Sequence, residues 1–195
     1  MSTAPRRPRG RRRPAEEPPT TGSAAVDPEP DAEAVARSIA LRQLTAAPRT
    51  RAQLAEAMAR RDVPDDVAER VLDRFEEVRL VDDAEYARVW ARSRHAERGL
   101  SRRAIAHELR QRGVSGDHVE QALEQVDDDA EAAAARALVE RRLPSTRRLD
   151  RDARVRRLVG MLARRGYPSG LAFRAVRDAL EAEGEDATGL RAPVE

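Results

Sequence analysis

Apolar residues recur every three or four positions through most of residues 31–184, and polar or charged residues fill the positions between them. This spacing places the apolar side chains on one face of an α-helix. No stretch of any length alternates apolar and polar residues, as a half-buried strand does, and no Asn-Gly pair marks a hairpin turn. The pattern therefore predicts an all-α protein.

Capping residues mark several of the predicted helix ends. Thr50 and Gln53 have the spacing of a capping box, and the Ser101 hydroxyl can cap a later helix. Gly99 and Gly113 follow helical stretches and are expected to end them. These signals divide the chain into short helices.

Three segments of the predicted helices match one another in register. The first contains Leu54, Met58, Asp62, Val63, Pro64 and Leu72. The second lies 51 residues later and contains Ile105, Leu109, Gly113, Val114, Ser115 and Leu123. The third follows after a further 53 residues and contains Leu158, Leu162, Gly166, Tyr167, Pro168 and Val176. One more helical stretch precedes each segment, so the pattern predicts three tandem three-helix repeats stacked into an elongated, curved array.

This organisation divides the chain into five parts. The repeats are expected at residues 31–80, 81–126 and 127–184. Residues 1–30 contain seven of the twelve prolines and no aromatic residue. We expect them to form a disordered Arg/Pro-rich tail, because they cannot bury enough apolar surface to offset the entropy of ordering. Residues 185–195 are expected to form a flexible C-terminus.

Basic and acidic residues are unevenly distributed along the chain. The 37 basic residues, all of them arginine, exceed the 35 acidic residues by only two. Residues 136–165, however, contain eleven arginines and three acids. This segregation indicates a charged macromolecular partner. The alternative is that arginine is abundant only because it is the single base that this chain uses.

Composition argues against an enzyme or a metalloprotein. The chain has no cysteine, no lysine and three scattered histidines, so thiol catalysis, a Walker-type phosphate loop and common zinc sites are not expected. We expect no cofactor. No apolar run approaches the ~20 residues that a membrane span needs, and the basic N-terminus lacks the apolar segment of a secretory signal. A cytoplasmic, monomeric protein is the expectation.

Two groups of arginines flank equivalent bends of the second and third repeats, and stacking could align them into one basic ridge that binds carboxylates or phosphates. The predicted ridge comprises Arg92, Arg94, Arg98, Arg102, Arg103, Arg147, Arg148, Arg151, Arg154, Arg156 and Arg157. The alternative is a solvated face with helical ion pairs such as Glu108–Arg112. Tyr86 and Trp90 could stack on nucleic-acid bases, but core packing is the favoured role.

The second repeat contains a series of acidic, aromatic, glycine and aliphatic positions at fixed spacing, which include Asp82, Asp83, Tyr86, Trp90, Gly99, Ile105, Leu109 and Gly113. In their order and spacing these positions resemble the signature of the RecX family of recombination regulators. The resemblance extends over roughly residues 34–183 and implies tandem three-helix domains without catalytic activity. It also implies binding along the RecA–DNA filament. There, RecX proteins suppress the recombinase, ATPase and co-protease activities of RecA, which limits homologous recombination and the SOS response.

Two other functions remain open at this point. Helix-turn-helix-like units could form a DNA-binding module that acts without RecA and has only its own affinity for phosphates and bases. Tandem helical repeats could also form a structural adaptor whose partner is unrelated to recombination.

Overall fold

The computed structural model describes residues 31–184. The disordered tail expected at 1–30 and the flexible terminus expected at 185–195 lie outside the described residues.

Residues 31–184 contain nine α-helices, one short 3-10 helix and no strand. The helices of the first repeat are α1 (Ala32–Ala46), α2 (Arg51–Ala59) and α3 (Asp65–Glu77). Those of the second are α4 (Asp83–Arg98), α5 (Arg102–Gln111) and α6 (Gly116–Leu123). Those of the third are α7 (Asp128–Arg142), α8 (Arg151–Ala163) and α9 (Ser169–Ala182), with the 3-10 helix Leu143–Thr146 between α7 and α8. The all-α prediction is confirmed.

The caps read from the sequence form as expected. The Thr50 hydroxyl accepts a hydrogen bond from the Gln53 backbone N–H at 3.2 Å, and the Gln53 side chain accepts one from the Thr50 backbone N–H at 3.3 Å. Ser101 caps α5 through the Ala104 N–H. Gly99 ends α4 in the left-handed conformation. The side chains accept hydrogen bonds from amide groups at the helix starts, and the Gly99 backbone N–H donates to the Arg94 and His95 carbonyl oxygens at the end of α4.

Each repeat has its own apolar core. One cluster of buried residues belongs to α1–α3 and reaches Val81, another to α4–α6, and a third to α7–α9 with Leu143. The aligned apolar positions are all at most 8% exposed: Leu54, Met58, Val63 and Leu72, then Ile105, Leu109, Val114 and Leu123, then Leu158, Leu162, Tyr167 and Val176. The internal register predicted from the sequence is therefore the register of three small cores, which confirms the three tandem three-helix repeats.

The first two repeats meet through the start of α2. The Thr50 hydroxyl donates a hydrogen bond to the Arg112 carbonyl oxygen at 2.6 Å, and the Arg51 backbone N–H donates one to Asp83 Oδ1 at 2.9 Å. Gly113, with a φ of +78°, lies so close to α2 that a Cβ on it would be 2.2 Å from the Cβ of Ala52. Only glycine fits this turn without displacing a backbone.

The second and third repeats meet in the same way through the start of α5. The Ser101 backbone N–H donates to the Arg165 carbonyl oxygen at 3.0 Å, and the Arg102 backbone N–H donates to Glu131 Oε1 at 2.8 Å. Gly166 has a φ of +84°, and a Cβ on it would be 2.6 Å from the Ser101 hydroxyl oxygen. In both junctions, the turn after the second helix of one repeat packs on the N-terminus of the second helix of the repeat before it.

Tyr167 completes the second junction. Its hydroxyl donates to the Gly99 carbonyl oxygen at 3.1 Å, and the side chain is 4% exposed. Burial, with a smaller contribution from the negative charge of Glu131, raises the pKa of Tyr167 to about 12. The hydroxyl therefore stays protonated and keeps donating at physiological pH.

Candidate functional site

A groove lined by arginines lies where the C-terminal ends of α4 and α7 meet α8. Its lining arginines are Arg98, Arg141, Arg142, Arg156, Arg157, Arg164 and Arg165. The groove comprises a cavity of about 710 Å³ and a second of about 510 Å³ that share Arg142, Met161, Arg164 and Arg165. Leu100, Leu138 and Met161 supply apolar surface, and Glu97 is the one acidic residue that residues 31–184 contribute to the lining.

Helix geometry brings these arginines together. Arg157, Met161 and Arg164 are spaced four and three residues apart, so they follow one face of α8 into its C-terminal cap. Arg141 and Arg142 occupy the last turn of α7, where the negative end of the helix dipole favours a positive charge. The groove therefore collects cations from two helix C-termini and from one helix face.

The charge of the groove is not neutralised within the described part of the chain. None of its seven arginines forms an ion pair with a carboxylate of residues 31–184, although many arginines elsewhere do. Arg165 donates through Nε to the Arg98 carbonyl oxygen at 3.3 Å, which fixes its position without neutralising it. Guanidinium groups left in this state are ready to bind carboxylates or phosphates in bidentate fashion.

The structure places only part of the predicted ridge in this groove. Arg98, Arg156 and Arg157 line it. Arg92, Arg103 and Arg148 are exposed and Arg151 is half-buried, all outside the groove lining. Arg102 lies 3.3 Å from Asp128, and Arg147 lies 2.9 Å from Glu183. Four groove arginines were absent from the predicted set: Arg141, Arg142, Arg164 and Arg165.

Two arginines of the predicted ridge are structural and do not share an exposed surface with the others. Arg154 is 2% exposed, donates through Nε to the Thr146 hydroxyl at 3.1 Å and pairs with Glu183. Arg94 has a side chain that is 17% exposed and donates through Nε to Glu108 Oε2 at 3.0 Å. Both guanidinium groups bind side chains of their own repeat, so neither Arg94 nor Arg154 contributes to a shared exposed ridge.

Trp90 is held in a network of charged and aromatic side chains. The guanidinium carbons of Arg94 and Arg112 lie 3.8 and 3.7 Å from the centroid of its ring. At these distances both guanidinium groups make cation–π contacts with the indole. The indole N–H donates to Glu108 Oε2 at 2.9 Å, and the Tyr86 ring stacks at 5.8 Å. Two guanidinium groups, the Glu108 carboxylate and the Tyr86 ring already contact Trp90, which also packs against the core of the second repeat, so the structure supports packing as its role.

The described residues contain no group of three histidine, aspartate or glutamate side chains that could hold a metal ion. No helix between residues 31 and 184 has the length and apolar character that crossing a membrane requires.

Comparison with known proteins identifies the family. Models of the first, second and third three-helix domains of RecX match residues 36–75, 82–123 and 129–176. A regulatory protein RecX from Thermobifida fusca is 59% identical over 166 residues, which cover 85% of this chain and 88% of that protein. Another, from Streptomyces coelicolor, is 53% identical over 173 residues, or 88% and 92% of the two chains. The chain belongs to the RecX family.

Solved structures share the fold of this RecX-family chain. The crystal structure of RecX from Lactobacillus salivarius superposes with a TM-score of 0.69 at 17% identity, over 76% of this chain and 96% of that one. A crystal structure of a regulatory protein RecX gives a TM-score of 0.66 at 24% identity, over 76% and 72% of the two chains. The relatives of this chain carry the name of a regulatory protein, and the RecX family to which it belongs is a family of regulatory proteins and not of enzymes.

The family motif of the second repeat is mainly structural. Asp82 caps α4 through the Glu85 N–H at 2.8 Å, and Asp83 accepts the Arg51 backbone N–H of the preceding repeat. Burial raises the pKa of Asp83, and this hydrogen bond offsets part of the effect. Ile105 and Leu109 are fully buried. The RecX motif therefore maintains the second repeat and its junctions, whereas the arginine groove lies outside it.

Proposed function

We propose that this RecX-family chain is a regulator of the RecA recombinase that binds RecA and its DNA filament. By doing so it inhibits the recombinase, ATPase and co-protease activities, and it modulates DNA repair and the SOS response. It acts as a monomer in the cytoplasm and needs no cofactor. Inhibition of this kind needs only a higher affinity for one state of the filament than for another.

The arginine groove is the observation that carries this proposal. Seven guanidinium groups without a carboxylate partner among residues 31–184 form a site for a polyanion, and a nucleoprotein filament offers both phosphates and carboxylates. Three linked repeats can also contact neighbouring subunits of a polymer. Several modest contacts then add through their effective concentration.

A titration of RecA on single-stranded DNA tests the proposal. We expect the rate of DNA-dependent ATP hydrolysis to fall as the chain is added, with most of the inhibition reached at or below one chain per RecA. Bovine serum albumin at the same concentration controls for dilution and surface loss. An ATPase rate that stays constant through the titration contradicts the proposed function.

The same groove also supports a second candidate, a DNA-binding module that acts without RecA. A groove of arginines can bind phosphates of bare DNA, with an affinity that falls steeply as salt concentration rises. The two candidates differ in the affinity for RecA-coated single-stranded DNA compared with the same DNA uncoated. Equal or stronger binding to bare DNA favours the second candidate.

A further inference from the structure

Apart from the two cavities of the arginine groove, a further cavity of about 540 Å³ lies between the first and second repeats. Much of its wall is formed by Leu44 near the end of α1, Ala47 just after it, Leu80 before α4, and Val89 and Trp90 on α4. Its volume is in the range of sites that hold a small ligand or a few side chains. We call this cavity the apolar pocket, and none of the described residues lines both this pocket and the arginine groove.

The apolar pocket exposes large aliphatic side chains. Leu80 is 51% exposed and Val89 is 52% exposed, whereas the leucine and valine side chains in the cores of the repeats are at most 8% exposed. Helix α4 buries only Ala87 and Ala91 completely. Its larger apolar side chains Tyr86, Val89 and Trp90 line the pocket, and Tyr86 and Trp90 also pack against the core of the second repeat. Apolar surface of this kind, gathered in a concave site, is characteristic of a binding surface.

Three arginines at the edge of the pocket have no close carboxylate partner among residues 31–184. Arg49 has no ion pair within residues 31–184, and its Nε is buried without a hydrogen-bond acceptor. Arg112 lies over Trp90 and is 3.3 Å from the Tyr86 hydroxyl, again without a carboxylate. Arg79 is 85% exposed and 4.0 Å from its nearest carboxylate, that of Asp82.

The acidic side chains in the wall are already engaged. Asp82 accepts the hydrogen bond that caps α4, and Glu85 forms an ion pair with Arg88. The pocket therefore combines an aliphatic wall with unused donors and positive charge. The complementary occupant has a bulky apolar side chain next to a carboxylate.

We infer that the apolar pocket binds a segment of the partner protein in which a large apolar side chain is flanked by carboxylates. This inference rests on the proposed function, because the partner protein that it invokes is RecA. A nucleic acid fits the pocket poorly, since Leu44, Leu80 and Val89 are aliphatic and the Trp90 ring is already in contact with two guanidinium groups. The pocket thus supplies a protein contact, and the arginine groove supplies the polyanion contact.

Substitutions at the exposed pocket residues test the contact. Val89→Glu and Leu80→Glu place a carboxylate where we expect an apolar side chain, at positions whose exposure lets the repeats fold. We expect each to weaken binding to RecA filaments on single-stranded DNA by about tenfold or more. Affinity for the same bare DNA should change by no more than about twofold, because the pocket lies outside the groove.

A matched control and a charge variant complete this set. Leu149→Glu adds the same charge at an apolar residue that is 37% exposed and outside the pocket, and it should bind filaments like the natural chain. Arg49→Gln removes only the unused positive charge and should weaken filament binding by about threefold to tenfold. Helicity and thermal unfolding, measured by circular dichroism, verify that all four variants fold.

Cysteine protection gives a direct measure of occupancy, because the natural chain has no cysteine. Val89→Cys introduces one thiol in the pocket, and Leu149→Cys introduces one outside it. We expect RecA filaments to slow alkylation of the first thiol by iodoacetamide at least about tenfold, as a buried contact does. Bare DNA should not slow it, and the second thiol should react at the same rate throughout.

The outcomes separate this inference from the proposed function. Filament binding that persists without protection at Val89→Cys, or that is unaffected in both glutamate variants, overturns the pocket contact and leaves the proposed function standing. Protection by bare DNA alone assigns the pocket to nucleic acid and also overturns the inference. If the natural chain does not bind RecA filaments, both proposals fail together.

Discussion

The first and third repeats use arginine in opposite ways. In the first, Arg51 bonds to three carboxylates, and Arg60, Arg70 and Arg74 each pair with an acid three or four residues away. In the third, the arginines of α7 and α8 that line the groove have no acidic partner among the described residues. A net charge of +2 conceals this difference. We therefore expect the arginines that matter for binding to be those that have no carboxylate partner within residues 31–184.

The two repeats also differ at the turn after their second helix. The first repeat has Asp62 there, with a φ of +57°, and the side chain is exposed. The third has Gly166, packed against Ser101 and Ala104 of the second repeat. The same turn is exposed in the first of the described repeats and lies at an interface in the third. At the interface, it also carries Arg164 and Arg165 into the groove.

The largest effect on folding is expected at Arg154. Arg154→Glu removes a buried cation from Thr146 and places a carboxylate opposite Glu183, so it should lower the free energy of unfolding by about 3–5 kcal/mol. Arg156→Glu, two residues away on the same helix, is exposed and should change it by about 0.5 kcal/mol or less. Urea denaturation followed by circular dichroism measures both. Equal losses would mean that the interior and groove arginines of α8 are not distinct classes.

Substitution of Gly166, at the junction of the second and third repeats, should give the next largest loss of stability. Gly166→Ala forces a side chain into the left-handed conformation and against Ser101, which should lower the free energy of unfolding by about 2–3 kcal/mol. Because the turn positions Arg165, binding to single-stranded DNA should weaken as well. Asp62→Ala is the matched control, since this position already holds a non-glycine residue at positive φ. A loss of similar size at both positions would contradict a close approach specific to the junction.

Charge reversal in the groove tests, by DNA binding, whether the unpaired arginines of the third repeat differ from the paired arginines of the first. Arg156→Glu with Arg157→Glu should weaken binding to single-stranded DNA by about 30-fold at low salt and reduce the salt dependence by about two ions. Arg70→Glu with Arg74→Glu changes the net charge of the first repeat by the same amount, at arginines that already have partners. We expect this control to bind within about threefold of the natural chain. Equal weakening would show that net charge, and not the groove, governs binding.

Sequence periodicity was sufficient to predict the three repeats, because apolar spacing and helix capping depend on residues that are close together in the sequence. Leu109 and Gly113 were placed correctly from their own helix and turn. The groove depends instead on which helix ends meet in three dimensions. Arg141 and Arg164 are 23 residues apart, and no local pattern joins them.

The internal register did contain a signal for one of the misplaced arginines. Arg154 follows Ser101 by 53 residues and occupies the position held by Ser101 and Thr50, which are fully buried. An arginine at that position should be interior, with a partner supplied by the fold. The partner, Glu183, lies 29 residues away at the end of α9, so its identity could not be read from spacing. Each arginine in a charge-rich segment should therefore be aligned with the equivalent positions of the other repeats before it is assigned to the surface.

Loss of a neutralised arginine in the first repeat should have a smaller effect. Arg51→Gln removes three ion pairs whose carboxylates are 41–63% exposed, so the free energy of unfolding should fall by about 1 kcal/mol. The backbone N–H of this residue still bonds to Asp83, and the junction should persist. DNA affinity should remain unchanged within twofold, roughly the error of such measurements. A marked loss of DNA affinity would place a paired arginine in the binding surface and undo the distinction between the repeats.

The smallest effect concerns the pH dependence of the Arg154 network. Hydrogen bonds from Arg154 and then Arg147 lower the pKa of Glu183 below its ordinary value of 4.5. A lowered pKa in the folded state contributes stability above the unfolded value, and this contribution is lost as pH falls through the folded value. Glu183→Gln should therefore be less stable than the natural chain above pH 4.5, and the difference should shrink below it.

The junction carboxylate provides a control of opposite sign for that measurement. Burial raises the pKa of Asp83 above 3.8, so its contribution to stability decreases as pH rises through the raised value. Asp83→Asn should consequently leave the acid-induced loss of stability in place, whereas Glu183→Gln should reduce it. Urea midpoints measured at several pH values on both sides of 4.5 compare the two variants. If Glu183→Gln leaves the loss on acidification undiminished, the bonds to Glu183 do not stabilise the third repeat through its charge.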